Sequence, residues 1–129
     1  MSAPLPVVVV EDDPASRKSL GRVLRVGGFE ALLFESAEEY LASGPSPSSP
    51  IAMLLDLQLP GMSGLDLQRR MRTEGSTLPI IVITANDDPR FRDEAEHLGC
   101  LAYLSKPCDG KTILALLDFL RAPGVTKVQ

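Results

Sequence analysis

Glu11, Asp12, Asp56, Thr84 and Lys106 are the residues of this chain whose types and spacing could do chemistry together. Asp56 poses the sharpest question, because it closes the apolar stretch IAMLLD and is followed by the turn-rich LQLPGMSG. A carboxylate at the end of a buried stretch is costly unless it is paired, hydrogen-bonded or bound to metal. Candidate partners close other apolar runs. Glu11 and Asp12 follow LPVVVV, Thr84 ends PIIVIT, and Lys106 follows LAYLS. If those runs are parallel strands of one sheet, carboxylates, a hydroxyl and an ammonium meet at its carboxyl edge, where open α/β sheets bind ligands. Clustered carboxylates repel one another. An all-oxygen site suits Mg²⁺, which removes that repulsion and commonly bridges carboxylate to phosphate. Lys106 and Thr84 would then stabilise a phosphoryl group arriving on an Asp56 oxygen, and Asp56 would act as a covalent nucleophile.

The elements that must position these residues are legible in the same runs. Leu5 to Val10 is a continuous β-branched stretch, the pattern of a strand covered on both faces. Asp13 caps a helix that opens on Pro14, carries Leu20, Val23 and Leu24 inward, and stops at Gly27 and Gly28. Phe29 to Phe34 reads as the second strand, and Ser36 with Glu39 as a capping box for a short helix with Tyr40 and Leu41. Residues 43 to 50, SGPSPSSP, read as a loop. Ile51 to Leu55, Pro79 to Thr84 and Leu101 to Leu104 are further strands. They alternate with helices opened by Ser63 or Gly64, by Asp88–Pro89, and by Asp109. The last helix is stopped by Pro123 and Gly124. A β-α alternation of this kind implies a parallel, doubly wound sheet with helices on both faces.

Composition sets outer limits. The 129 residues suit one domain, and 23% charged with 44% hydrophobic residues is an ordinary globular balance. Lys and Arg number 13 against 17 Asp and Glu, a net charge of −4 that lacks the footprint of a general nucleic-acid binder. Arg69, Arg70 and Arg72 form the best basic patch and read as a solvated helix face. Cys100 and Cys108 have neither redox nor zinc spacing, and with no signal peptide the expected compartment is the cytoplasm. No apolar run approaches membrane-spanning length, so no membrane partner is expected. His97 is expected to be an ordinary surface residue, and GMSG lacks the lysine of a phosphate-binding P-loop.

Taken in order, VVVVEDDP, LLDLQLPGMSG, ITA and YLSKP resemble the motifs of the receiver domain of two-component response regulators, the CheY-like superfamily. FESAEEYL and ITAN are most similar to receivers of the FixJ type. The resemblance runs from about Pro6 to Leu120, with residues 1–122 as the receiver and 123–129 as a tail or the start of a linker. It implies a flavodoxin-like (βα)5 fold of five parallel strands in the order 2-1-3-4-5. It also implies that Asp56 is the phosphorylated residue and that Glu11, Asp12, Asp56 and the Gln58 backbone carbonyl hold Mg²⁺. Thr84 and Tyr103 would be the switch, with Lys106 on the phosphoryl oxygens and a cis Lys106–Pro107 bond. The implied partners are a histidine kinase or a histidine phosphotransfer protein. A homodimer on activation is also implied, as is DNA only through an effector domain. Departures are Glu11 for the commoner Asp, Leu59 where Met is frequent, and Cys108 where Phe is common. The last removes a large apolar contact beside the final helix.

Two rival readings stand beside a transcriptional output: a single-domain phosphorelay shuttle, and a pseudo-receiver that binds partners without taking phosphate. A haloacid-dehalogenase-type phosphatase needs a second Asp two residues after its nucleophile. Gln58 stands there, so fast turnover is not expected and the chain is not read as an enzyme in the usual sense.

Overall fold

A computed structural model describes residues 3–45 and 49–122. The chain runs β1 (Pro6–Val10), α1 (Pro14–Val26), β2 (Glu30–Phe34), α2 (Ala37–Ala42), β3 (Ala52–Leu55), α3 (Gly64–Thr73), β4 (Ile80–Thr84), α4 (Pro89–His97), β5 (Ala102–Ser105) and α5 (Gly110–Arg121). The five strands form one parallel sheet in the order β2-β1-β3-β4-β5. Fold class and strand order are those expected. The expected strands at Phe29, Ile51, Pro79 and Leu101 each begin one residue later. Part of the 43–50 loop, the tail 123–129 and the helix stop at Pro123–Gly124 lie outside the described residues.

Side-chain alternation in the central strands divides the core into two layers. Val8, Val10, Met53, Leu55, Ile80 and Val82 face one side and pack with Leu67 and Met71 of α3 and Ala95 of α4. Val7, Val9, Ala52, Leu54, Ile81 and Ile83 face the other and pack with Leu20 and Leu24 of α1 and Ile113 and Leu117 of α5. Burying an aliphatic side chain this completely is worth about 1.5–3 kcal/mol, so the central strands carry most of the folding drive. Edge strands β2 and β5 are only partly covered, as their mixed sequences require.

Capping fixes where each helix begins, always just past the carboxyl edge of a strand. Asp13, Ser36, Ser63, Asp88 and Asp109 accept from Ser16 N (2.8 Å), Glu39 N (3.0 Å), Asp66 N (3.0 Å), Arg90 N (2.9 Å) and Lys111 N (3.0 Å). The capping box closes one residue early. Glu39 Oε1 accepts from Glu35 N at 2.7 Å, not from Ser36 N.

Arg69 and Arg70 of α3 are exposed, as a solvated face requires, and Arg72 departs from that reading. Arg72 donates to the carbonyls of Leu98 (3.0 Å), Ser76 (3.1 Å) and Leu78 (3.0 Å), and its charge is partly withdrawn from water. Arg69 pairs with Asp66 and Glu94, and Arg70 with Glu74. Arg72 therefore ties α3 to the end of α4 and to the turn before β4, while Arg69 and Arg70 make surface ion pairs. A periodic reading of α3 alone could not find those carbonyl partners.

Candidate functional site

Strand register brings the chemistry-bearing residues to one edge. Val10 and Leu55 are register partners, so Glu11 and Asp56 leave adjacent strands side by side. The backbone ladder continues one step past both strands: Glu11 N donates to Phe34 O (3.0 Å) and Asp56 N to Val10 O (3.1 Å). Thr84 ends β4 opposite Ser105, and Lys106 N donates to Thr84 O (2.9 Å). The bond to Pro107 is cis, as expected.

Glu11, Asp12 and Asp56 each place a carboxylate oxygen within 4.8 Å of the other two. Glu11 is 1% exposed and Asp56 7%, whereas Asp12 is the most open. Lys106 Nζ bridges the buried pair, 2.5 Å from Glu11 Oε1 and 2.9 Å from Asp56 Oδ2. Against three carboxylates one ammonium leaves a negative excess. The oxygen-only donor set fits a hard divalent cation such as Mg²⁺. Any such cation shares its ligands with Lys106.

The two buried carboxylates are not equivalent. Burial pushes the Glu11 carboxyl up, but donors from Lys106 and Asp13 N (3.1 Å), with Ser16 Oγ (3.0 Å), outweigh it and hold it below the usual range. Burial also pushes Asp56 up, and there it prevails over Gln58 N (3.0 Å) and Lys106, helped by the neighbouring Glu11 charge. Desolvation pulls Lys106 down, yet its two carboxylate partners leave it raised. Glu11 is thus the anchored anion, and Asp56 is the carboxylate that bears the cost of burial.

The loop after Asp56 must pass very close to it. A Cβ on Gly64 would lie 2.3 Å from Asp56 O and 2.6 Å from Leu57 Cα, so only glycine allows α3 to start there, with Gly64 N donating to Leu57 O (3.0 Å). Thr84 is fully buried, and its hydroxyl accepts from Asn86 N (3.2 Å). Tyr103 donates its hydroxyl to the Asn86 carbonyl (3.1 Å), with the Arg92 guanidinium 4.8 Å from its ring centre. Thr84 and Tyr103 are therefore linked through one residue, Asn86, in the loop between β4 and α4.

The structure brings together Glu11, Asp12, Asp56 and Lys106, with Gln58 N on Asp56, while the hydroxyls of Thr84 and Tyr103 bond Asn86 in the loop after β4. Asp13 serves as a cap, and His97 is exposed on α4. Two residues were missed. Ser16 bonds Glu11, and Arg17 donates to the carbonyls of Glu11 (3.0 Å) and Asp12 (3.2 Å). Their signal was available: with Asp13 they share the first-turn face of α1, directly above the end of β1. Where Phe is common, Cys108 lines a cleft of about 360 Å³ with Ser16, Ser19, Leu20, Ile83, Lys106 and Pro107. Burial raises its thiol, the behaviour of an unreactive small side chain.

Residues 7–118 match the response regulator receiver domain. The chain belongs to the response regulator receiver domain family. Among its relatives, the transcriptional regulatory protein FixJ of Bradyrhizobium diazoefficiens is 32% identical over 112 residues, covering 87% of this chain and 54% of FixJ. The DNA-binding transcriptional regulator NtrC of Salmonella typhimurium is 36% identical over 112 residues, covering 87% of this chain and 24% of NtrC. The receiver thus spans about half the length of FixJ and less of NtrC. A response regulator receiver protein from Pseudomonas putida superposes with a TM-score of 0.84 at 32% identity, covering 92% of this chain and 98% of that one. Among the described residues of this receiver, no helix is long and apolar enough to cross a membrane.

Proposed function

We propose that this receiver is a Mg²⁺-dependent phosphoacceptor that takes a phosphoryl group onto Asp56 from phosphohistidine of a histidine kinase or a histidine phosphotransfer protein. The observation that carries the reading is the Lys106 ammonium seated between Glu11 and Asp56, with Asp12 beside them at the carboxyl edge. An Asp56 oxygen attacks phosphorus, a P–O bond forms, the P–N bond breaks, and the electron pair leaves with the imidazole. Asp12, Glu11, Asp56 and the Gln58 carbonyl are the groups that would hold Mg²⁺. When bound, Mg²⁺ supplies positive charge against the phosphoryl oxygens. Lys106 supplies a second cation from the protein itself, and Thr84 a hydroxyl donor. Gln58 offers no acid–base group, so the acyl phosphate hydrolyses slowly and the protein acts as a switch rather than a turnover enzyme. Regulation of transcription, through a region beyond the matched residues, is the output that FixJ and NtrC support. The cytoplasm is the compartment such a partnership needs.

Metal binding tests the first half. Asp12 is the most accessible carboxylate and makes no ion pair with Lys106, so it is free to ligate. Asp12→Ala should weaken Mg²⁺ binding by about 10-fold or more in a titration followed by amide shifts. Equal affinity in both proteins would place the metal elsewhere.

Relay tests the second half. A phosphoryl oxygen on Asp56 accepts from the Thr84 hydroxyl and draws it toward Asp56, which strains the bond that Asn86 N donates to that hydroxyl oxygen, and movement of Asn86 is passed to Tyr103 through its carbonyl. Beryllofluoride with Mg²⁺ should increase self-association or partner binding by a coupling of about 1–3 kcal/mol. Thr84→Ala should remove most of that increase in sedimentation experiments. An identical response would show that the hydroxyl is not the switch, and no response in either protein would favour a phosphorelay shuttle.

A further inference from the structure

We propose that Glu38 is a positioning residue for the phosphoacceptor site. Its carboxylate, delivered from α2, fixes the loop between β3 and α3 that carries Gln58, and so sets metal affinity and the lifetime of the aspartyl phosphate. The proposal rests on the phosphoacceptor reading of Asp56.

The loop leaves Asp56, passes Leu57 to Met62, and enters α3 at its Ser63 cap. Near its start it is held by Gln58 N on Asp56 Oδ1 (3.0 Å), and the turn is closed by Gly64 N on Leu57 O (3.0 Å). Between these ties lie Leu59, Pro60, Gly61 and Met62. Met62 N donates to Glu38 Oε2 at 2.7 Å, across 24 residues of sequence. Among the described residues, Glu38 is the side chain from another element that hydrogen-bonds to this stretch.

The neighbouring glycine carries a second sign of the same contact. Gly61 has φ +75°, and a Cβ there would lie 2.4 Å from Glu38 Oε2. The loop backbone is therefore bent and bare where the carboxylate arrives. Glu38 is exposed, but its backbone lies in a capped turn: Ser36 caps α2, Glu39 bonds back to Glu35, and Ala37 is fully buried. A carboxylate in the first turn of a helix is also favoured by the helix dipole. Without this tie, residues 58–62 keep their hold near Asp56 but lose the outer one, and the Gln58 carbonyl loses its fixed direction. Groups that orient a metal ligand in this way commonly govern affinity without touching the ion.

Amide exchange and Mg²⁺ titration of the whole chain test this. Glu38→Ala should speed Met62 amide exchange in metal-free protein, weaken Mg²⁺ by about 10-fold, and shorten the aspartyl-phosphate lifetime by a similar factor. Glu38→Gln keeps an acceptor oxygen at the same reach and should restore most of the loss. Met62→Ala, which leaves the Met62 N–H in place, should keep wild-type metal affinity, so that the loss in Glu38→Ala is assigned to the hydrogen bond and not to the side chain it reaches. A Glu38→Ala protein with a lower melting temperature but wild-type metal affinity and phosphate lifetime would overturn the proposal, since Glu38 would then only stabilise the fold. If the wild type takes neither Mg²⁺ nor phosphate, the phosphoacceptor reading falls and takes this one with it. If the wild type takes both and Glu38→Ala takes them equally well, only the positioning role falls.

Discussion

Asp56→Asn is expected to abolish phosphoryl incorporation from a small-molecule phosphodonor while making the protein more stable. The loss follows from chemistry: an amide oxygen is no nucleophile toward phosphorus at neutral pH, and Asp56 is the carboxylate closing β3 at the centre of the sheet. The gain in stability follows from geometry. Asp56 is 7% exposed and has Glu11 and Asp12 within 4.8 Å, while Lys106 is shared with Glu11. Its carboxyl is raised by burial, so folding disfavours the charged form. Asn keeps the shape and the acceptor for Gln58 N without the charge. The expected gain is about 1 kcal/mol, a usual size where a functional charge is relieved, or roughly 4 °C in Tm for a domain of this length. The sign with pH is fixed. A folded pKa above the unfolded one costs stability at pH above the folded value and nothing below the unfolded value. In chelator, the difference between the two proteins should therefore shrink as pH falls through the Asp56 range. Labelling of Asp56→Asn at the wild-type level would refute the phosphoacceptor assignment, and a lower Tm would refute the account of its burial.

Lys106→Ala should produce the opposite effect on stability. Lys106 is the cation that Glu11 and Asp56 share, with side-chain exposures of 23%, 2% and 7% respectively. Its removal leaves two buried carboxylates facing each other. Breaking a buried pair costs about 3–5 kcal/mol; with Lys106 partly open to water, a loss of roughly 2 kcal/mol is expected in chelator by denaturant titration. Mg²⁺ should return part of that stability and should bind Lys106→Ala more tightly than wild type, because the competing ammonium is gone. Phosphoryl transfer should nonetheless fall by about 100-fold, the usual loss when one fixed donor to a developing charge is removed. Tighter metal binding with slower chemistry separates the two roles of Lys106. Unchanged stability in chelator together with unchanged labelling would show that it has neither.

Much of the fold and site was legible because the terms that decide them are local. A run such as PVVVV has one comfortable environment, the interior of a parallel sheet, and β1 lies there fully buried. Asp13, Ser36, Ser63, Asp88 and Asp109 each cap the helix that follows them, since a capping bond spans only two or three residues. The candidate site residues announce themselves as polar groups closing apolar strands. Within a parallel sheet that position fixes the edge they reach, and the order of motifs placed Asp56, Thr84 and Lys106 in one family's pattern.

The partnerships had to wait for the tertiary structure, because they close long loops. Lys106 meets Glu11 across 95 residues and Asp56 across 50, and which anion holds it more closely depends on Ser16 and Asp13 N also converging on Glu11. Arg72 looked solvated by periodicity and proved tied to Leu98 across 26 residues. The cleft beside Cys108 needed α1, β4 and the turn after β5 in place at once. Sequence alone determined which side chains stand at the ends of the strands, because burial and capping act within a few residues. Only the tertiary structure decided which of them share a cation or a carbonyl, because those choices turn on ångström-scale distances between segments that nothing local holds together.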